Sequence, residues 1–210
     1  VIRITAMHGY GTLVLQPVLE QFRQIYPEII LDVELTDYVA DITQNEVDIA
    51  IRASTALPER AIARKLSDNR FVMIASPEYL KINGLPMHTE DLLHHQTLIY
   101  RGPNGILHWQ AKTKGIWREL RTNPVYISNN GIALMQAAIA GQGIALLPKW
   151  GVASELESGA LRELKMKETQ VSVTRALESG IYLLYLKPRY GILKIKVAVD
   201  FLVDELSHTI

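Results

Sequence analysis

The sequence predicts an α/β protein of two lobes, each an open, mostly parallel sheet covered by helices. Three observations predict it. Strand-like runs (VIRITA, IILDVEL, VDIAIRA) alternate with helical stretches through the opening. The middle of the chain interrupts this alternation with its own strands and helices, and the last stretch returns to an apolar strand followed by a helix. The first lobe is therefore assigned residues 1–76 plus 178–210 and the second residues 77–177, so the chain crosses between lobes twice. Ligands of such sheets lie beyond the carboxyl ends of the strands, which in a two-lobed protein means a central cleft.

Each element has its own signal. VIRITA is a short β-branched strand, MHGYGT reads as a loop, and Leu15, Val18, Leu19, Phe22 and Ile25 then share one helical face. Thr12 is placed to cap that helix, and Pro17 fits only within its first turn or so. Pro27 stops it. IILDVEL is the second strand, VADITQNE a short helix and VDIAIRA the third strand, giving a β-α-β-α-β unit. RFVMIAS is a buried strand, and SPEYL opens a helix behind a Ser-Pro step. TEDLLHH reads as a helix and TLIYR as a strand. ILHWQAKTKGIWREL reads as a hairpin turning at Lys114-Gly115, and PVYIS as the next strand.

NNGIALMQAAIAGQGIALLP combines a helix cap, a small-residue helix, a turn and an apolar strand ended by proline. Gly141 is the residue past the helix end that accepts positive φ, and Gly143 belongs to the turn. KWGVASELESG is helical, VSVTRAL strand-like and IYLLYLK an apolar strand. A last helix carries the stripe Ile192, Ile195, Val199, Leu202 and Leu206.

Bulk properties narrow the function. Twenty-two basic residues balance twenty-two acidic ones, so the chain has no overall positive field to drive phosphate-backbone binding. No cysteine is present, which excludes disulfides and thiolate metal sites and fits a cytoplasmic protein. No apolar run approaches the roughly 18 residues of a membrane span, and no signal peptide is evident.

Catalytic motifs are missing. The six histidines are scattered, and His94-His95 are adjacent rather than three or four apart, so no helical face offers two metal ligands. No G-x-S-x-G elbow or phosphate loop is found, and Gly-Gln-Gly follows a helix and precedes a strand, the reverse of a dinucleotide fingerprint. The reading is a protein that is not an enzyme and needs no cofactor or metal.

What remains are polar groups at strand ends. His8 follows the first strand, Thr12 heads the first helix, and Arg52 closes VDIAIRA. Tyr100 and Arg101 close TLIYR, and Asn129 and Asn130 head the helix of the second lobe. Helix N-termini with nearby arginines suit an anion. The same residues also have a plainer reading: Thr12 and Asn130 as caps, His8 as a loop residue, and the arginines as partners of surface carboxylates. Trp109 and Trp117 read as hairpin packing, and Trp150 as a helix-start anchor.

Four blocks in sequence order resemble the effector-binding domain of LysR-type transcriptional regulators. They are LVLQPVLEQFRQIYPEIILDVEL, LTDYVADITQNEVDIAIRAS, FVMIASPEYL and GIALMQAAIAGQGIALLPKWGVASELESGAL, and the likeness covers nearly the whole chain. The resemblance implies a periplasmic-binding-protein type II fold with a small-molecule effector in the cleft, and a cytoplasmic regulator. It also implies an N-terminal winged helix-turn-helix domain, absent from this chain, through which DNA would be bound. Effector domains of the family pair antiparallel as homodimers, with tetramers at full length.

Carried over by position, Thr12 matches an effector-contacting residue at the head of the first helix, beside His8 and Gly9. Asn129 and Asn130 match the polar residues before the second-lobe helix, and Thr36-Asp37 occupy the position after the second strand that reaches the cleft. The sequence departs from the family at Glu46, where glycine is usual, at the bare Gly-Tyr-Gly before Thr12, and between Lys167 and Gly180, which lacks the usual proline-rich link. The alternatives are a free-standing periplasmic solute-binding protein, or an enzyme on this fold such as a phosphoribosyltransferase or a porphobilinogen deaminase-like protein.

Overall fold

The computed structural model describes residues 1–38, 47–54, 60–167, 169–175 and 179–208. The chain forms two units, Val1–Asn69 with Glu178–Ile210, and Arg70–Leu177.

In the first unit, β1 (Ile2–Ala6) leads into helix α1 (His8–Tyr10), a wide π-type turn (Gly11–Leu15) and α2 (Gln16–Ile25). Strands β2 (Leu31–Leu35), β3 (Ile49–Ser54) and β4 (Ile62–Asp68) follow. The helical path runs unbroken from His8, so MHGYGT is not a loop and Thr12 is not a cap. Nor does Pro17 lie in the first turn. The wide turn explains how the helix passes it: the Gln16 N–H reaches back five residues to the Gly11 carbonyl, relaxing the coil where Pro17 supplies no N–H and its ring crowds the preceding turn.

Val18, Leu19 and Phe22 are buried as the spacing predicts, but Ile25 is 58% exposed, since it ends the helix at the margin of the apolar stripe. β4 has no strand pattern in the sequence, because Arg64 and Lys65 break the apolar alternation of IARKLSD. The expected VADITQNE helix and the turn at Glu46 lie outside the described residues.

The second unit holds β5 (Phe71–Ala75), α3 (Pro77–Asn83), a 3₁₀ turn (Thr89–His94), β6 (Gln96–Gly102), β7 (Gly105–Ile106) and the hairpin β8 (Gln110–Thr113) and β9 (Ile116–Glu119). Then come β10 (Asn123–Ser128), α4 (Gly131–Ile139), β11 (Ile144–Pro148), α5 (Ala153–Glu157), β12 (Arg162–Leu164) and β13 (Thr169–Ser172). Back in the first unit, β14 (Gly180–Tyr185), α6 (Lys187–Tyr190) and α7 (Leu193–His208) complete the chain.

The first sheet has the order β2-β1-β3-β14-β4, with β1 parallel to both neighbours and β14 antiparallel to β3 and β4. Phe22 of α2 meets Phe201 of α7 edge-on, with ring centroids 5.3 Å apart. Ile195, Val199, Leu202 and Leu206 are buried as expected, whereas Ile192 precedes the helix and is 41% exposed. At the amino ends of the strands, buried Asp48 accepts the Arg3 N–H at 2.9 Å and pairs with Arg189 of α6 at 3.1 Å.

The second sheet has the order β10-β6-β11-β5-β12, and its inner strands β6, β11 and β5 are buried on both faces. Alternate residues divide between two clusters: Val72, Ile74, Leu98, Ala145 and Leu147 pack with Leu134 and Ala138 of α4, while Met73, Ala75, Ile99, Ile144 and Leu146 pack with Tyr79, Leu92 and Trp109. Two-sided burial is why these strands read as continuous apolar runs. β5 belongs to this sheet, antiparallel to β11 and β12, although the sequence placed RFVMIAS in the first lobe.

The chain turns at Lys114 (φ 50°) and Gly115 (φ 82°), the pair of positive φ values that a tight hairpin needs. Gly141 takes φ 73° past the end of α4, and a Cβ on Gly143 would stand 2.7 Å from the Gln96 carbonyl oxygen of β6.

Candidate functional site

In the first unit the carboxyl ends of β1, β2 and β3 bring His8, Gly9, Thr36, Asp37 and Arg52 into one neighbourhood. β1 ends at Ala6, whose carbonyl accepts the Thr36 N–H at 2.9 Å, so the chain leaving β2 stays beside the start of α1. Asp37 then accepts the His8 N–H on Oδ1 at 3.1 Å. The helix is thus capped by a carboxylate from a different segment, because the side chain of its own N-cap residue, Met7, makes no cap bond and its sulfur instead accepts the Ala53 N–H at 3.2 Å. Thr36 accepts the Tyr38 N–H on its hydroxyl at 3.2 Å, which sets the turn that aims Asp37. Thr12 is exposed and donates its hydroxyl proton to the His8 carbonyl at 2.9 Å, a bond within its own helix.

Arg52 is buried and occupied. Its guanidinium donates to the Ile51 carbonyl at 2.9 Å, to the Thr5 hydroxyl at 2.7 Å and to the Tyr38 carbonyl at 3.3 Å. Burial pulls its pKa down, and the Asp37 and Glu34 carboxylates oppose that shift. Its visible role is to tie β3 to β1 and to the segment after β2. Its charge reaches the strand ends from inside the sheet.

In the second unit β6 and β10 run parallel, with Tyr100 in register with Ser128. Ser128 accepts the Asn130 N–H on its hydroxyl at 3.1 Å. Asn130 is the N-cap of α4, its Oδ1 accepting the Ile132 and Ala133 N–H groups at 3.0 and 3.2 Å. Two of the helix's unpaired donors are therefore already satisfied, while Asn129 stands exposed just before the cap. Tyr100 is half-buried, with its ring packed against the α4 face of the sheet, and Arg101 is exposed beside β7.

Within this unit, then, Tyr100, Asn129 and Asn130 share the carboxyl ends of neighbouring strands. Ser128 joins them although the sequence did not single it out; a serine closing a strand immediately before an Asn-Asn helix start was the available signal. Among the described residues, no group of three or more His, Cys, Asp or Glu side chains is placed to hold a metal ion. Among the described residues no helix is long and apolar enough to cross a membrane.

Comparison with known proteins agrees with this architecture. Residues 1–207 match the family described as the LysR substrate binding domain. The chain is similar to the HTH-type transcriptional activator TtdR of Escherichia coli K12, with 30% identity over 96% of this chain and 63% of that protein. It is also similar to the HTH-type transcriptional regulator CrgA of Neisseria meningitidis, with 30% identity over 93% of this chain and 64% of that protein. The chain thus spans just under two thirds of the length of these relatives. The solved regulatory domain of CrgA superposes with a TM-score of 0.83 at 28% identity, covering 98% of both chains.

Proposed function

The chain belongs to the LysR substrate-binding domain family, and on that premise we propose that it is the part of a longer DNA-binding regulator that senses a small-molecule effector. The observation that carries the reading is the family match across residues 1–207, joined to polar side chains held at the carboxyl ends of parallel strands in each unit. In the first unit the proposed contacts are His8, Gly9, Thr12, Thr36, Asp37 and Arg52; in the second they are Tyr100, Arg101, Asn129 and Asn130. Asp37, Asn130 and Arg52 act mainly by holding the site's backbone, since each already has internal partners. Asn129 and Arg101 are exposed and supply direct contacts, and Arg101 is the cation that meets an anionic effector.

Effector binding acts by population shift: a ligand that binds one conformation better favours it, and a DNA-binding domain elsewhere in the full-length protein reads the change. Nothing in this mechanism calls for turnover, and the protein works in the cytoplasm. Self-association uses edge strands β2 and β10. Ile30 and Val33 are 64% and 37% exposed in and beside β2, and Val125 and Tyr126 are 50% and 39% exposed on β10.

A thermal-shift screen of small carboxylates, aromatic acids and sugars tests the reading. A stabilising compound is expected whose affinity falls roughly tenfold, about 1.4 kcal/mol, in Asn129→Ala and Arg101→Ala while both variants keep the parent melting temperature. Full affinity in both variants would remove these residues from the site. Hits confined to neutral compounds would remove the anionic preference.

A further inference from the structure

The second unit contains a cavity of about 990 Å³ that none of Tyr100, Arg101, Asn129 or Asn130 lines. Its walls are the β8–β9 hairpin, the Thr89–His94 turn and the chain at Lys167 and Thr169. These walls are fixed to one another. β8 pairs with both β9 and β13, and the Thr113 and Thr169 hydroxyls meet at 3.1 Å. The Lys167 N–H donates to the Met87 carbonyl at 3.2 Å, and Asp91 accepts the Met87 and His88 N–H groups at 2.8 and 2.9 Å.

The lining combines two chemistries. Leu93, Ile116 and Leu120 give it apolar surface, and the first two are 47% and 59% exposed, so they are open to a ligand. Lys114, Arg118, Arg121 and Lys167 add four cations, all exposed, and among the described residues none of them forms an ion pair. Among the described residues two carboxylates, Glu90 and Glu119, share the lining, and Glu119 lies 3.4 Å from His108. In a chain with net charge zero, this is a local concentration of positive charge over an apolar floor.

We propose that this cavity is a second ligand site, selective for small organic anions that carry an apolar body. The apolar portion covers Leu93 and Ile116, and the carboxylate or sulfonate meets the guanidinium groups of Arg118 and Arg121, which offer planar paired donors. Its volume lies at the upper end of the range for drug-sized ligands, roughly 300–1,000 Å³.

The probe is 2-naphthoate, with 2-naphthylmethanol as its uncharged counterpart, each titrated into the ¹⁵N-labelled protein and followed by amide chemical shifts. Naphthoate is expected to shift amides of residues 113–120 and Lys167, to bind at least roughly tenfold more tightly than the alcohol, and to weaken as salt rises. The double variant Arg118→Ala/Arg121→Ala should lose that preference for the acid while keeping the parent spectrum elsewhere. Equal binding of acid and alcohol would overturn the proposal. So would shifts confined to Tyr100 and residues 128–133, or no saturation below about 10 mM.

Discussion

Asp37 accepts the His8 N–H at 3.1 Å across 29 residues of sequence, so the first helix begins where a loop from the neighbouring strand allows it to. The bond places a negative charge at the positive end of the helix and satisfies a donor that Met7 leaves unpaired. Asp37→Ala should cost about 1 kcal/mol in urea unfolding, the usual loss for a removed cap. Asp37→Asn keeps an acceptor and should recover most of it. Equal midpoints for the alanine variant and the parent would show that the cap contributes nothing.

Arg52 gives a second prediction. Its three acceptors are the Thr5 hydroxyl and the carbonyls of Ile51 and Tyr38, and Thr5 is fully buried. Arg52→Met removes the donors, fits the space with an apolar chain, and takes from the buried Thr5 hydroxyl its Arg52 partner. A loss of about 2–3 kcal/mol is expected, more than for a surface arginine, because a buried unpaired acceptor costs roughly 1–3 kcal/mol. Arg52→Lys should not restore stability, since one ammonium cannot reproduce the fork that reaches two strands and a loop. A fully stable lysine variant would refute this account.

Asn130 and Asn129 should separate structure from recognition. Asn130 holds two α4 donors, so Asn130→Ala should lower stability by about 1 kcal/mol and Asn130→Asp should retain it. Asn129 is exposed beside the cap, so its alanine variant should unfold at the parent denaturant midpoint. Calorimetric or chemical unfolding of the three variants decides the division. A destabilised Asn129→Ala would mean that the pair acts jointly as a cap.

Much of the second unit was legible in the sequence because its strands are buried on both faces: IALL and FVMIA are apolar throughout, and glycines 115 and 141 mark real positive-φ turns. The start of α1 was not. Gly9 and Gly11 weaken local helix propensity, and the residue that overrides them, Asp37, lies in the turn after β2. Assigning β5 to the first lobe failed for a related reason: a strand's sheet is fixed by its partners β11 and β12, which come more than seventy residues later. Asn130 could be read as a cap from its spacing to α4, whereas Ser128 joins the group only once β10 pairs in register with β6 and Tyr100. Arg52 is readable as a cation at a strand end, but its burial depends on Thr5 and Tyr38.

The last prediction concerns pH. His95 is buried, and its Nδ1 lies 3.2 Å from the Tyr79 hydroxyl, which also accepts the Gln96 N–H at 3.0 Å. The Tyr79 hydroxyl thus bridges the His95 ring and the backbone at the start of β6, and which of it and Nδ1 donates depends on the ring's tautomer. Burial lowers the His95 pKa below its ordinary value, more than the nearby Asp91 raises it, and His94 adds to the lowering. The unfolded chain thus binds this proton more readily than the folded one. The stability His95 contributes is complete above the unfolded pKa of about 6.5, declines as pH falls through it, and levels off below the folded pKa. Melting temperature should therefore fall between about pH 7.5 and 5, and His95→Gln should flatten that slope. Asp91, whose carboxylate is held below the usual range chiefly by the His88 and Met87 N–H groups, adds its loss only below about pH 4, so the two effects occupy separate windows. An identical slope in parent and His95→Gln would assign the acid sensitivity to other groups.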